Sequence, residues 1–196
     1  MAEKRDSKMK LLDAAADVVR AKGYTAARVE DVCAAAGVTK GCFFHHFTSK
    51  EDLMLAASAR WDEVGAALVD AAPYHRLPDP LDRVLGYIEY RKARLKEADY
   101  CFSATMVQEV YQTHPAVREA CWHSFSLHTS TLEPDIEAAI QKYGYEGDWT
   151  PSSLAFHMLA VVHGAIIMAK AQNGTEAADM CLDHLCHYVK MQFQRA

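Results

Sequence analysis

The chain has 196 residues, 51% of them hydrophobic and 24% charged, so it can bury a core in one small and one larger domain and is excluded from the disordered class. The formal net charge of −5 hides an asymmetry: residues 1–50 hold nine Lys or Arg against six Asp or Glu, and the remainder twelve against twenty. A basic first quarter on an acidic remainder suits a protein that meets phosphate at one end.

The chain opens on a short polar arm, Ala2 to Lys10, with no apolar run behind it, so no signal peptide is expected. Leu11, Leu12, Ala15, Val18 and Val19 then keep a helical spacing that stops at Gly23, and Val29, Val32, Cys33 and Ala36 repeat it over a short second helix. Gly37 can take the left-handed conformation that ends a helix, and Thr39 can cap the next one. That third helix, Lys40 to Phe47, would present Lys40, Gly41, Phe44 and His45 outward while Phe43 and Phe47 anchor its inner face. Such a trio reads as a DNA-reading helix-turn-helix. Ser49, Glu51 and Asp52 look like the capped, acidic first turn of a fourth helix, which Leu53, Met54, Ala57, Trp61, Val64 and Leu68 extend.

From about Arg5 to Trp61, the order GY, EDV, AAAGVTKG, HHF and SKEDL resembles the TetR family of bacterial transcriptional regulators. The resemblance implies that Thr39, Lys40, Gly41, Phe44, His45 and His46 lie on the recognition helix, and that Lys50 meets a backbone phosphate. Two positions depart from the family pattern. A tyrosine whose hydroxyl touches phosphate is usual where this chain has Phe44, whose ring could instead meet a thymine methyl. The hydroxyl-bearing residues usual before the second helix are here Ala27 and Arg28, so either Thr25 caps less directly or Arg28 takes the phosphate contact.

Beyond residue 70 the expected elements are all helical. Pro73, Pro78 and Pro80 mark a loop before an amphipathic helix of Leu81, Val84, Leu85 and Ile88. A helix from about Cys101 to Tyr111 follows, and His114 and Pro115 open a long one that Pro134 should kink. After a loop from Gly144 to Pro151, two closing helices run from Ser152 to Gln172 and from Thr175 to Phe193, separated by Asn173 and Gly174. Their apolar stripes, including Met158, Val162, Ile166, Cys181, Leu185 and Tyr188, would pair with a twin as a four-helix bundle, the dimer interface the resemblance also implies. The apolar stretch Leu154 to Ala171 is broken by His157, His163 and Gly164, so no membrane span is expected and the protein should be cytoplasmic.

Tyr87, Tyr90, Phe102, Met106, Tyr111, Trp122, Phe125 and His128 on the middle helices could line an apolar pocket with polar handles, holding a small-molecule inducer. Cys101 would join it, placed in the first turn of its helix by an Asp99 cap, where backbone amides favour thiolate. The six cysteines lack any CxxC spacing and read as thiols. Cys181, His184 and His187 recur every three residues, but their stripe is claimed by the expected dimer seam and no acidic ligand stands beside them, so neither a metal nor a cofactor is expected. With no nucleophile motif, phosphate loop or paired carboxylates, no enzyme is expected.

The fold expectation is all-α, with a three-helix head in residues 1–50 (5–65 with the connecting helix) on a larger antiparallel helical body in 51–196, about nine helices in all. The functional expectation is a ligand-released repressor holding a palindromic double-stranded DNA operator as a homodimer. The alternative is a helical small-molecule-binding or redox-reactive protein without DNA-binding activity.

Overall fold

In the computed structural model, residues 2–96, 101–145 and 147–193 are described, and their regular structure is entirely helical. The helices are α1 (Ala2–Lys22), α2 (Val29–Ala36), α3 (Lys40–His46), α4 (Lys50–Asp70), α5 (Pro80–Lys96), α6 (Phe102–Val110), α7 (Pro115–Ser130), α8 (Glu133–Tyr143), α9 (Pro151–Gln172) and α10 (Glu176–Gln192), with a 3-10 turn at Pro73–Arg76.

Short-range chemistry sets most boundaries. Gly37 leaves α2 at φ 66°, and its amide closes on the carbonyl of Ala34. Thr39 Oγ accepts from the Cys42 amide at 3.2 Å to start α3, and Ser49 Oγ accepts from the Asp52 amide at 3.0 Å to start α4. Thr150 and Ser153 exchange amide bonds of 3.2 and 2.8 Å at the head of α9, whose far end turns over at Asn173 with φ 52°.

Two segments depart from the sequence reading. The polar arm is helical, since α1 begins at Ala2, and an Asp6–Lys10 ion pair of 2.6 Å at i,i+4 supports its exposed side. The long kinked helix is two helices. Thr131 and Leu132 close α7 with amide bonds to His128 and Thr129, and Pro134 sits in the first turn of α8. Inside a continuous helix its ring would meet the carbonyl four residues back, whereas in a first turn its missing N–H costs nothing.

The chain divides into two compact units, Met1–Ala67 with Cys101–Phe125, and Leu68–Tyr100 with Ser126–Ala196. In the first, Leu11, Ala15, Val19, Val32, Phe43, Phe47, Leu53 and Met54 from the head share one core with Phe102, Met106, Val110, Val117 and Cys121. Thus α6 and the start of α7 complete the head's core, which a boundary drawn along the chain cannot express.

In the second unit, α5 packs against α8, α9, α10 and the 3-10 turn. Arg83 pairs with Asp135 at 2.6 Å and Lys92 with Asp183 at 2.5 Å, tying α5 to α8 and α10. Asp79 caps α5 through the Leu81 amide and accepts from Lys142 and Tyr143 of α8. By length and composition alone α9 could cross a membrane, but one of its two apolar faces is buried against its neighbours here.

That buried face corrects the expected dimer seam. Met158, Val162, Ile166 and Leu185 lie in the chain's own core, while Cys181 is half-buried and Tyr188 exposed. The outward face of α9 carries Ala160, Val161, Gly164, Ile167, Met168 and Ala171, and that of α10 carries Met180, Cys181, His184, His187, Tyr188 and Met191. Both faces have helical spacing, and the outward one is apolar on α9 and mixes Met and Tyr with His184 and His187 on α10. Periodicity finds the stripes but cannot tell which one the chain keeps for itself.

Candidate functional site

The head presents one face of α3. Phe43 is fully buried and pins the helix, with its ring 5.1 Å from Phe44 and 5.8 Å from Phe47. Thr39, Lys40, Gly41, Phe44 and His45 are exposed, Phe44 at 58% despite its apolar ring. Lys40 pairs with Glu30 of α2 at 2.5 Å on the surface, a contact weak enough to be exchanged for a phosphate. Arg28 stands at the start of α2 with its side chain exposed; its amide donates to the Asp31 carboxylate at 3.1 Å, and a guanidinium has no acceptor with which to cap.

Two residues hold the turn between α1 and α2. Lys50 Nζ donates to the carbonyls of Tyr24 and Ala27 at 3.0 and 3.1 Å and lies 4.4 Å from the centre of the Tyr24 ring. Burial pulls its ammonium below the usual lysine range, against the opposing charge of Glu109. On α6, the Glu109 carboxylate accepts from the amides of Tyr24 and Thr25 at 3.0 and 2.8 Å. Burial alone would raise its carboxyl, but the hydrogen bonds from Thr25 and Tyr24 and the charge of Lys50 outweigh it and hold it low. Gly23, at φ 85°, leaves room for this carboxylate, since a Cβ there would fall 2.1 Å from Glu109 Oε1.

The second unit gathers aromatic and basic groups around α5. The Tyr74 ring lies 6.1 Å from Tyr87 and 5.9 Å from Tyr90, and the Tyr87 hydroxyl is 2.7 Å from His128 Nε2. Burial, then the charge of Arg91, depresses His128 to about 3 and His163 to about 4. Both imidazoles are therefore neutral at pH 7, and His128 Nε2 can accept the Tyr87 hydroxyl proton.

Residues 11–57 match the sequence profile "Bacterial regulatory proteins, tetR family", and residues 74–185 match "Tetracyclin repressor-like, C-terminal domain". The chain belongs to the TetR family of transcriptional regulators. The transcriptional regulator AcuR of Cereibacter sphaeroides is 37% identical over 168 residues, covering 83% of this chain and 75% of its own length. The HTH-type transcriptional repressor DhaR of a Mycobacterium species is 25% identical over 179 residues, 88% of this chain and 86% of its own. A TetR regulator from Chloroflexus aurantiacus shares the fold at a TM-score of 0.86 and 20% identity, over 98% of both chains.

For a TetR-family regulator, the expected reading residues divide. Thr39, Lys40, Gly41, Phe44 and His45 share the exposed face of α3, whereas His46 is half-buried and its Nε2 lies 2.9 Å from Ser7 Oγ of α1. Lys50, expected at a backbone phosphate, here has its ammonium on two carbonyls and over a ring, where it braces the α1–α2 turn. Thr25 does not cap α2, because its amide and hydroxyl both serve Glu109.

The expected pocket set also divides. Tyr87, Tyr90 and His128 come together in the second unit, while Phe102 and Met106 are fully buried in the first unit's core, where Phe125 packs against it. Tyr111 and Trp122 are surface side chains, at 49% and 60% exposure. Cys101 is itself the cap of α6, its Sγ accepting from the Ala104 amide at 3.4 Å, and Asp99 lies outside the described residues. Sequence reasoning missed Tyr74, Arg91, His163 and Glu109. Arg91 was recoverable, lying one helical turn after Tyr87; Glu109, 85 residues from Tyr24, was not.

Proposed function

We propose that this TetR-family regulator is a repressor that holds a palindromic operator as a homodimer and leaves it when a small molecule binds the body. The observation that carries the reading is the exposed face of α3, where Lys40, Gly41, Phe44 and His45 project from a helix pinned by Phe43. The outward apolar faces of α9 and α10 support the dimer, which two successive major grooves require. The relative DhaR, a transcriptional repressor, supports the sign of regulation. Glu109 supports the release step, because any displacement of α6 acts directly on the turn that leads into the helix-turn-helix.

A gel shift on the DNA upstream of its own gene, followed by footprinting, tests the proposal. A protected site with two symmetric halves is expected. Protection of a single half-site by a monomer, or no retained DNA, overturns it.

A further inference from the structure

Phe44 stands on the outward face of α3 and is the one large hydrophobic side chain exposed among the described residues of α1, α2 and α3. It shares that face with Lys40, Gly41 and His45, at helical spacings of three and four. The ring is not isolated on the surface. Phe43, fully buried, meets it at 5.1 Å with the ring planes 89° apart, so the exposed phenyl rests on a fixed partner.

Gly41 supplies the second observation. It lies in the first turn of α3 with φ outside the left-handed region, so no special backbone conformation calls for glycine there. A Cβ built on it would meet Thr39 Oγ1 at 3.8 Å, an ordinary contact, and no other side chain beyond its chain neighbours comes within 4 Å. Alanine would fit, and it would favour the helix more than glycine does. The fold therefore does not account for glycine at position 41. The bare backbone one turn before Phe44 is clearance for something outside the chain.

On the DNA-reading face of a regulator that something is the duplex, and the ring restricts which part of the duplex it meets. Lys40 and His45 carry polar atoms that can serve phosphates or base edges, whereas a phenyl ring has no strong donor or acceptor. Laid against a phosphate it would strip water from the anion and return no hydrogen bond. The apolar feature of the major groove is the 5-methyl group of thymine, which is read by apolar contact. We propose that Phe44 is a specificity residue that reads a thymine methyl, and that Gly41 leaves the gap through which the base edge reaches the ring. The inference rests on the DNA-binding part of the regulator reading above, and not on the dimer or on ligand release.

Each thymine of the footprinted site is exchanged in turn for deoxyuracil, which removes the methyl and leaves every hydrogen-bonding group of the base in place. Exchange at the thymine that Phe44 reads should weaken binding about fourfold in a competition gel shift, the worth of one buried methyl. Phe44→Ala, at an exposed position and so with little cost to the fold, should bring the ratio of thymine to uracil affinity there to about one. Replacing that T·A pair by C·G should weaken binding, and 5-methylcytosine, which restores the methyl, should recover part of the loss with the wild-type chain and none with Phe44→Ala. Gly41→Ala should keep or raise the unfolding midpoint and still weaken binding about tenfold or more, because its methyl occupies the gap. Equal affinity for every thymine duplex and its uracil counterpart, as a ring packed on deoxyribose would give, overturns the methyl reading and leaves the regulator standing. A thymine preference that Phe44→Ala retains belongs to another residue and overturns it equally. A Gly41→Ala chain that binds as tightly as wild type overturns the clearance. Retention of no duplex at all overturns the regulator reading, and this inference with it.

Discussion

Removing the Lys50 ammonium would strand the carbonyls of Tyr24 and Ala27 in a partly buried turn, so its loss is felt in folding before DNA is present. Lys50→Met should lower unfolding stability by about 1–3 kcal/mol while leaving the salt dependence of DNA binding unchanged. Arg28→Ala should do the reverse, since its guanidinium is exposed and loses little by leaving, and should reduce the salt slope by about 1. If the Lys50 variant instead keeps full stability and loses salt slope, the ammonium reaches phosphate and the brace assignment is wrong. The cysteines sort by the same residue-level logic. Burial first, then Cys101 and Asp62, pushes Cys121 up to about 12, and burial with Glu89 pushes Cys186 to about 11. Cys33 is raised as well, by burial and then Glu30. Half-buried Cys42 and Cys101 should therefore alkylate faster than these three on folded protein, as read by mass spectrometry. Labelling of Cys121 ahead of Cys101 would contradict the burial pattern and remove any special accessibility at the cap of α6.

At the scale of elements, α5, α7 and α9 bury two histidines that the unfolded chain would protonate near pH 6.5, but the folded chain only near 3 and 4. The charged and titratable groups that act on them are Arg91, which faces both, with Tyr87 and His163 beside His128. Their folded-state values are depressed, so the stability they contribute is fully present above pH 6.5 and is lost as pH falls toward about 4, where the unfolded state binds the extra protons. Urea unfolding midpoints should hold between pH 8 and pH 7 and drop between pH 6.5 and pH 4.5. His128→Gln, which keeps an acceptor for the Tyr87 hydroxyl, should flatten that drop. An unchanged slope in the variant would place the acid sensitivity in other groups.

For the molecule as a whole, what could be read from the sequence was whatever is encoded within a few residues. Gly37, Thr39, Ser49, Thr150 and Asn173 act through their own neighbours, so the helix ends and the helix-turn-helix followed from local pattern. The Glu109 clamp and the contact of Tyr87 with His128 depend on elements far apart in the chain, and no short window contains them. The two faces of α9 show the same limit most sharply, because Ile166 and Ile167 are adjacent, identical in chemistry and opposite in role: Ile166 is 5% exposed and Ile167 43%. A carboxylate at position 166 would be driven into the chain's own core, so Ile166→Glu should give a chain that is unfolded or close to it at 25 °C. A carboxylate at position 167 costs the single chain little, but in a symmetric four-helix seam it would meet the apolar faces of its twin and its own symmetry mate. Ile167→Glu should therefore leave a folded monomer with native circular dichroism, a halved mass by sedimentation equilibrium, and loss of the two-half-site complex with DNA. A folded Ile167→Glu dimer of unchanged mass would mean that the outward faces of α9 and α10 are not where two copies meet, and the assembly would have to be sought on another surface.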